Sequence, residues 1–125
     1  APQGLHVSIE RDLREVEGRA WSGDEYQEQV RRYLSGEGVG GWEPRAAVLG
    51  RVNARIADLL AGPAGSGVAA VSHGLALTLY LSDLLGLDAA ASFELWSTMA
   101  FPDVAIVDHE TRRFERSFGE RAAVR

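Results

Sequence analysis

The 125-residue chain contains neither cysteine nor lysine. Without cysteine there is no disulfide, no thiolate nucleophile and no thiolate zinc site, and a reducing, cytoplasmic setting is the expectation. Without lysine a Gly-x-x-x-x-Gly-Lys nucleotide loop cannot form. All thirteen basic residues are therefore arginines, forked donors suited to oxyanions. No apolar run reaches the ~18 residues that would suggest a membrane span, and no basic-then-apolar leader opens the sequence, so no membrane partner is expected. The three histidines stand far apart, which predicts no metal site. A net charge of -5 and the lack of a basic-aromatic patch argue against nucleic acid as a partner. What remains is the composition of an ordinary globular protein, 46% hydrophobic and 25% charged, and residues 1–125 are expected to form a single domain.

Hydrophobic period sets the expected elements. Leu5, Val7 and Ile9 alternate with His6 and Ser8 as in a half-buried strand. Leu13 to Gly23 has no period and reads as a loop. Ser22 and Glu25 have the spacing of a capping box. A helix should follow them, with Tyr26, Val30, Tyr33 and Leu34 on one face and Gly36 as its stop. Pro44 suits the first turn of a second helix, whose apolar face would be Val48, Leu49, Val52, Ile56, Leu59 and Leu60. After the Gly62–Gly67 break, Val68 to Val71 reads as a short buried strand of a parallel sheet. Leu75 to Leu85 is apolar nearly all round and stops at Gly86, the pattern of a buried helix. Val104–Val107 and Phe114–Phe118 look like two strands joined by a polar turn. The order predicts an α/β fold: three layers, α/β/α, with a mainly parallel sheet and Val68–Ser72 as an interior strand.

Ser72-His73-Gly74 stands where that strand would hand over to the buried helix. In open α/β sheets ligands gather at the carboxyl ends of strands. The unpaired N–H groups and the dipole of the following helix make an anion the natural guest. Gly74 would let the backbone come close to it. The plainer alternative makes Ser72 a helix cap and His73 an ordinary first-turn residue.

Three motifs in order carry a resemblance. Val71-Ser72-His73-Gly74-Leu75-Ala76-Leu77, with its buried helix, resembles the second histidine motif of the histidine phosphatase superfamily, the phosphoglycerate mutase-like proteins. Leu13-Arg14-Glu15, followed by Trp21-Ser22-Gly23, is similar to that family's acid-bearing loop. Trp42-Glu43, with Arg51 eight residues after the glutamate, resembles its glutamate-then-arginine helix start. The match runs from about Leu5 to about Phe118. The resemblance implies phosphomonoester hydrolysis or phosphoryl transfer on a phosphorylated small molecule, without a cofactor. His73 would contact the transferring phosphate oxygens, joined by Ser72 and Gly74, and Glu15 would protonate the leaving oxygen. Arg14, Arg19 and Arg51 are the candidates for a converging cation.

The departures are as informative. The family's Arg-His-Gly nucleophile motif is nowhere in the chain, nor is its second phosphate arginine; His6 and His109 do not substitute. Gly18-Arg19 stands where the family has an aromatic-Gly pair. The sequence thus resembles the C-terminal portion of a phosphoglycerate mutase-like fold. A non-catalytic relative that binds an anion or a partner is the alternative. A strand left without its neighbour would be ready to pair, so a homodimer or a missing N-terminal segment is expected to cover it. A weaker rival is a serine hydrolase. Ala70-Val71-Ser72-His73-Gly74 is a variant nucleophile elbow, with Asp103 or Asp108 and then His109 in the matching order, but without an upstream oxyanion loop.

Overall fold

The computed structural model describes residues 7–18, 23–62, 67–100 and 102–119. Leu5, His6, Arg19, Trp21 and Ser22, and with them the proposed capping box, lie outside the described residues. Helix α1 spans Gly23–Ser35 and buries Val30, Tyr33 and Leu34, the face expected from its period. Helix α2 spans Arg45–Leu60 directly after Pro44 and buries Val48, Val52 and Ile56. Helix α3, Gly74–Leu85, is enclosed over most of its circumference, with Leu75, Ala76, Thr78, Leu79, Tyr80 and Leu81 buried. Its all-round apolar sequence permits this because contacts come from both sides: α2 packs on one and α4 on the other. Gly86 closes α3 in the left-handed region (φ 70°), where a side chain would be strained, and the Leu87 N–H returns to the Ser82 carbonyl.

Helix α4, Ala89–Thr98, was not foreseen from the sequence. Asp88 caps it, its carboxylate accepting from the Ala91 N–H at 2.8 Å. Its outer seam with α1 is aromatic: Tyr26 meets Trp96 edge-on at 5.7 Å, and the Arg31 guanidinium lies 3.9 Å above the Phe93 ring. Strands β1 (Ile106–Asp108) and β2 (Arg113–Arg116) form an antiparallel hairpin with a bulge between Ile106 and Val107. The polar turn between them is held by Asp108, whose Oδ1 accepts from the Glu110 and Thr111 N–H groups.

The fold is thus helices with a small sheet, and among the described residues the sheet is this antiparallel pair alone. The expected interior strand at Val68–Ser72 is not formed there. Residues 67–73 carry no ladder, and Val71 is 91% exposed. Val7 and Ile9, expected in the first strand, are likewise exposed without a ladder. The cause is pairing: an apolar, β-branched run becomes a strand only when a neighbour supplies ladder partners, and no described segment lies alongside to do so.

The core makes the chain's tyrosines poor acids. Tyr33 is buried and donates its hydroxyl to the Glu43 carbonyl at 2.6 Å. Burial first, and the Glu43 charge second, push its phenol up to about 12. Burial likewise raises Tyr26 and Tyr80, which completes the set of three. A phenol whose folded value is raised binds its proton more tightly in the folded state. The stability this provides is fully present below the unfolded value of 10 and is lost as pH climbs from there through about 12. Alkaline titration by phenolate absorbance should therefore show little ionisation at pH 10, with unfolding accompanying the ionisation that follows. Half-ionisation at pH 10 in folded protein would contradict this packing.

Candidate functional site

The loop preceding α1 is short of secondary structure of its own. After the 3-10 turn Arg11–Leu13, residues 14–18 run without a regular ladder. Its position is set by ties to other elements. Leu13 is buried in the core. Its carbonyl accepts the Ser72 hydroxyl at 2.6 Å, joining this loop to the segment ahead of α3.

Glu15 is the centre of the junction. Its Oε1 accepts from the Ala76 N–H at 2.7 Å and from the Val16 N–H at 2.9 Å. Its Oε2 accepts from the Leu75 N–H at 3.1 Å. The carboxylate therefore sits on the first turn of α3, where helix N–H groups lack internal partners and the dipole favours negative charge. His73 is the residue immediately before that turn, with extended backbone (φ -126°, ψ 159°), and its carbonyl accepts from the Leu77 N–H. The His73 imidazole is exposed and makes no hydrogen bond with another described residue. The structure thus brings Glu15, Ser72, His73 and Gly74 to one helix end, although some sixty positions separate the loop from the helix in sequence.

Arg51 belongs to the same neighbourhood but faces away from any guest. Its Nε and Nη2 form a two-pronged contact with Glu43, at 3.0 Å to Oε2 and 2.9 Å to Oε1. Nη1 donates to the carbonyls of Asp12 at 2.7 Å and Arg14 at 2.8 Å. Nη2 donates further to the Glu15 carbonyl at 3.0 Å. A guanidinium has five N–H donors, and all five are occupied. Both side chains of the pair are about a tenth exposed. The Arg51 hydrogen bonds hold the Glu43 carboxyl below the usual range, helped by the Glu17 N–H at 3.2 Å. Arg14 pairs instead with Glu17 at 3.2 Å and approaches Asp12 at 4.0 Å. Arg19 lies outside the described residues.

The serine-hydrolase geometry is not assembled. The Ser72 hydroxyl donates to a carbonyl rather than to an imidazole. The His109 Nε2 lies 2.6 Å from the Tyr80 hydroxyl, farther along α3. Asp103 accepts from the Ala100, Val104 and Gly119 N–H groups, and Asp108 serves its own turn. Ser72 is therefore withdrawn as a nucleophile: no base reaches it. Among the described residues no cluster of three or more histidines or carboxylates could hold a metal ion, and no helix is long and apolar enough to cross a membrane.

Two features of the site were not read from the sequence. One is the Glu43–Arg51 pair as a brace for the acid loop. The other is Gly18 as a seat for Trp42, whose ring Cδ1 would stand 2.6 Å from a Cβ placed at Gly18. The motif spacing of Glu43 and Arg51 signalled that the two belong together, but not what they hold.

The family model of the histidine phosphatase superfamily (branch 1) matches residues 1–116. The chain belongs to that superfamily. Searches of curated proteins and of solved structures each returned no match.

Proposed function

We propose that this chain forms the acid-and-second-histidine side of a phosphomonoester-processing site, acting in phosphoryl transfer or hydrolysis on a phosphorylated small molecule. The observation that carries the reading is the meeting of Glu15 and His73 at the N-terminus of α3. His73, the N–H of Gly74 and the helix dipole offer positive character to phosphate oxygens, and the exposed imidazole is free to turn toward them. Glu15 Oε2 accepts one N–H where Oε1 accepts two, so Oε2 is the oxygen with room to carry the proton that a leaving alkoxide needs. The nucleophilic imidazole would come from an Arg-His-Gly segment outside this sequence. In the complete fold, residues 68–72 would then become an interior strand of a mainly parallel sheet within three layers. A cysteine-free chain fits a cytoplasmic location.

A second reading is favoured by one observation, the exposure of Val7, Ile9 and Val71, at 81%, 99% and 91%. In it the chain is a non-catalytic relative whose unpaired apolar segments bind a partner, a second copy included. Sedimentation separates the two: self-association would favour the interaction module.

The test of the first reading is binding of inorganic phosphate or vanadate, with His73→Ala as control. Weak binding is expected in the wild type and its loss in the variant. Melting temperature should hardly move, because the imidazole is exposed and unbonded. The isolated 125 residues should not hydrolyse p-nitrophenyl phosphate, since binding ground and transition states alike gives no rate. Phosphate binding that survives His73→Ala would remove His73 from the site.

A further inference from the structure

We propose that Arg51, braced by Glu43, is the positioning residue for Glu15: it fixes the acid loop so that the carboxylate meets the first turn of α3. This rests on the phosphoryl-transfer reading of Glu15, and it takes Arg51 out of the set of phosphate-binding arginines. The path is continuous. Arg51 stands on α2 between the buried Val48 and Val52, so its stem is anchored by the core. From there the guanidinium grips three carbonyls of one short stretch, those of Asp12, Arg14 and Glu15. The last belongs to the acid itself, which is thus held by its peptide oxygen on one side and by the Leu75 and Ala76 N–H groups on the other.

The loop needs such a device because residues 14–18 have no ladder of their own, and carbonyls left inward without donors would be costly. Arginine alone among side chains presents five donors in one plane, enough for a carboxylate and three carbonyls together. Glu43 holds that plane in register. It is itself tied to the loop in both directions, its N–H donating to the Glu17 carbonyl at 2.7 Å and its carboxylate accepting from the Glu17 N–H. With every N–H occupied, no donor is left to meet a phosphate.

Amide hydrogen exchange on the full 125-residue chain tests this directly. The readout is the exchange of Leu75 and Ala76 relative to Leu79–Leu81 in the buried interior of the same helix. In Arg51→Lys, Leu75 and Ala76 should exchange at least about tenfold faster against that reference, the worth of a hydrogen bond to a charged acceptor. Glu15→Gln should produce the same local signature. Glu43→Gln, which keeps the side chain's shape, should give a smaller shift of the same kind and decides the matter if Arg51→Lys does not fold. A purely structural role would speed all α3 amides together. Unchanged relative rates in the Arg51 or Glu43 variants would overturn the proposal, as would weakened phosphate binding with those amides undisturbed. A phosphate titration of the wild type keeps the two ideas apart. Its failure would remove the phosphate reading while a positive exchange result stood.

Discussion

Arg51→Ala should destabilise the fold by about 3–5 kcal/mol, the range seen when one partner of a buried ion pair is removed. For a domain of this size the melting temperature should fall by on the order of 10–20 °C. Two costs add. Glu43, about a tenth exposed, would keep a charge without its counter-ion, and the carbonyls of Asp12, Arg14 and Glu15 would lose their donor. Replacing both members with apolar residues should therefore recover only part of the loss, because it removes the stranded charge but still leaves the carbonyls unmet. The pH dependence carries the same signature. Since the folded Glu43 carboxyl is held low, its contribution is present above the ordinary carboxylate range and is lost as pH falls through the folded value. Arg51→Ala should flatten that acid limb. A loss under about 1 kcal/mol in denaturant melts would mean that the pair behaves like a solvated surface contact.

The same residue shows where the sequence stops being readable. Arg51 stood out by its distance from Glu43 and was reasonably grouped with arginines that could meet phosphate. A sequence shows that a cation exists, not which acceptors surround it, and here the deciding acceptors are backbone carbonyls of a distant loop. The helices were more legible. The faces of α1, α2 and α3 follow from period and from their glycine and proline punctuation, because helical contacts are local. Helix α4 escaped for a related reason: its alanine-rich start has no marked stripe, and the one strong signal was Asp88 as a cap. The hairpin was legible to within two residues, since its turn chemistry is also local. The run at Val68–Val71 has the composition of a strand but no ladder, because strand formation depends on a partner that composition does not contain. At the site, the meeting of Glu15 with α3 followed from motif order and not from any local pattern.

Gly18→Val should cost about 1–3 kcal/mol, the usual penalty for forcing volume into a packed contact, and should disturb the acid loop with it. A Cβ at this position would stand 2.6 Å from Trp42 Cδ1, 2.9 Å from Cγ and 3.1 Å from Cα. The last is backbone, so turning the indole does not relieve the clash. The Trp42 ring is also pinned on its other side, edge-on to Tyr33 at 5.2 Å and tilted against Tyr26 at 6.2 Å. Chain and ring must therefore move together, and the next residue is Glu43, whose N–H bonds the Glu17 carbonyl at 2.7 Å. The glycine standing where the family carries an aromatic side chain thus has a physical counterpart: the aromatic surface beside the loop comes from Trp42 instead. Near-UV circular dichroism should lose intensity in Gly18→Val, and exchange at Leu75 and Ala76 should rise as Glu15 shifts. Truncating the obstacle provides the control. In a Trp42→Ala background the valine should be tolerated far better, giving a coupling between the two sites well above the roughly 0.5 kcal/mol scatter of independent mutations. Simple additivity of the two substitutions would show that Gly18 is not there to seat Trp42.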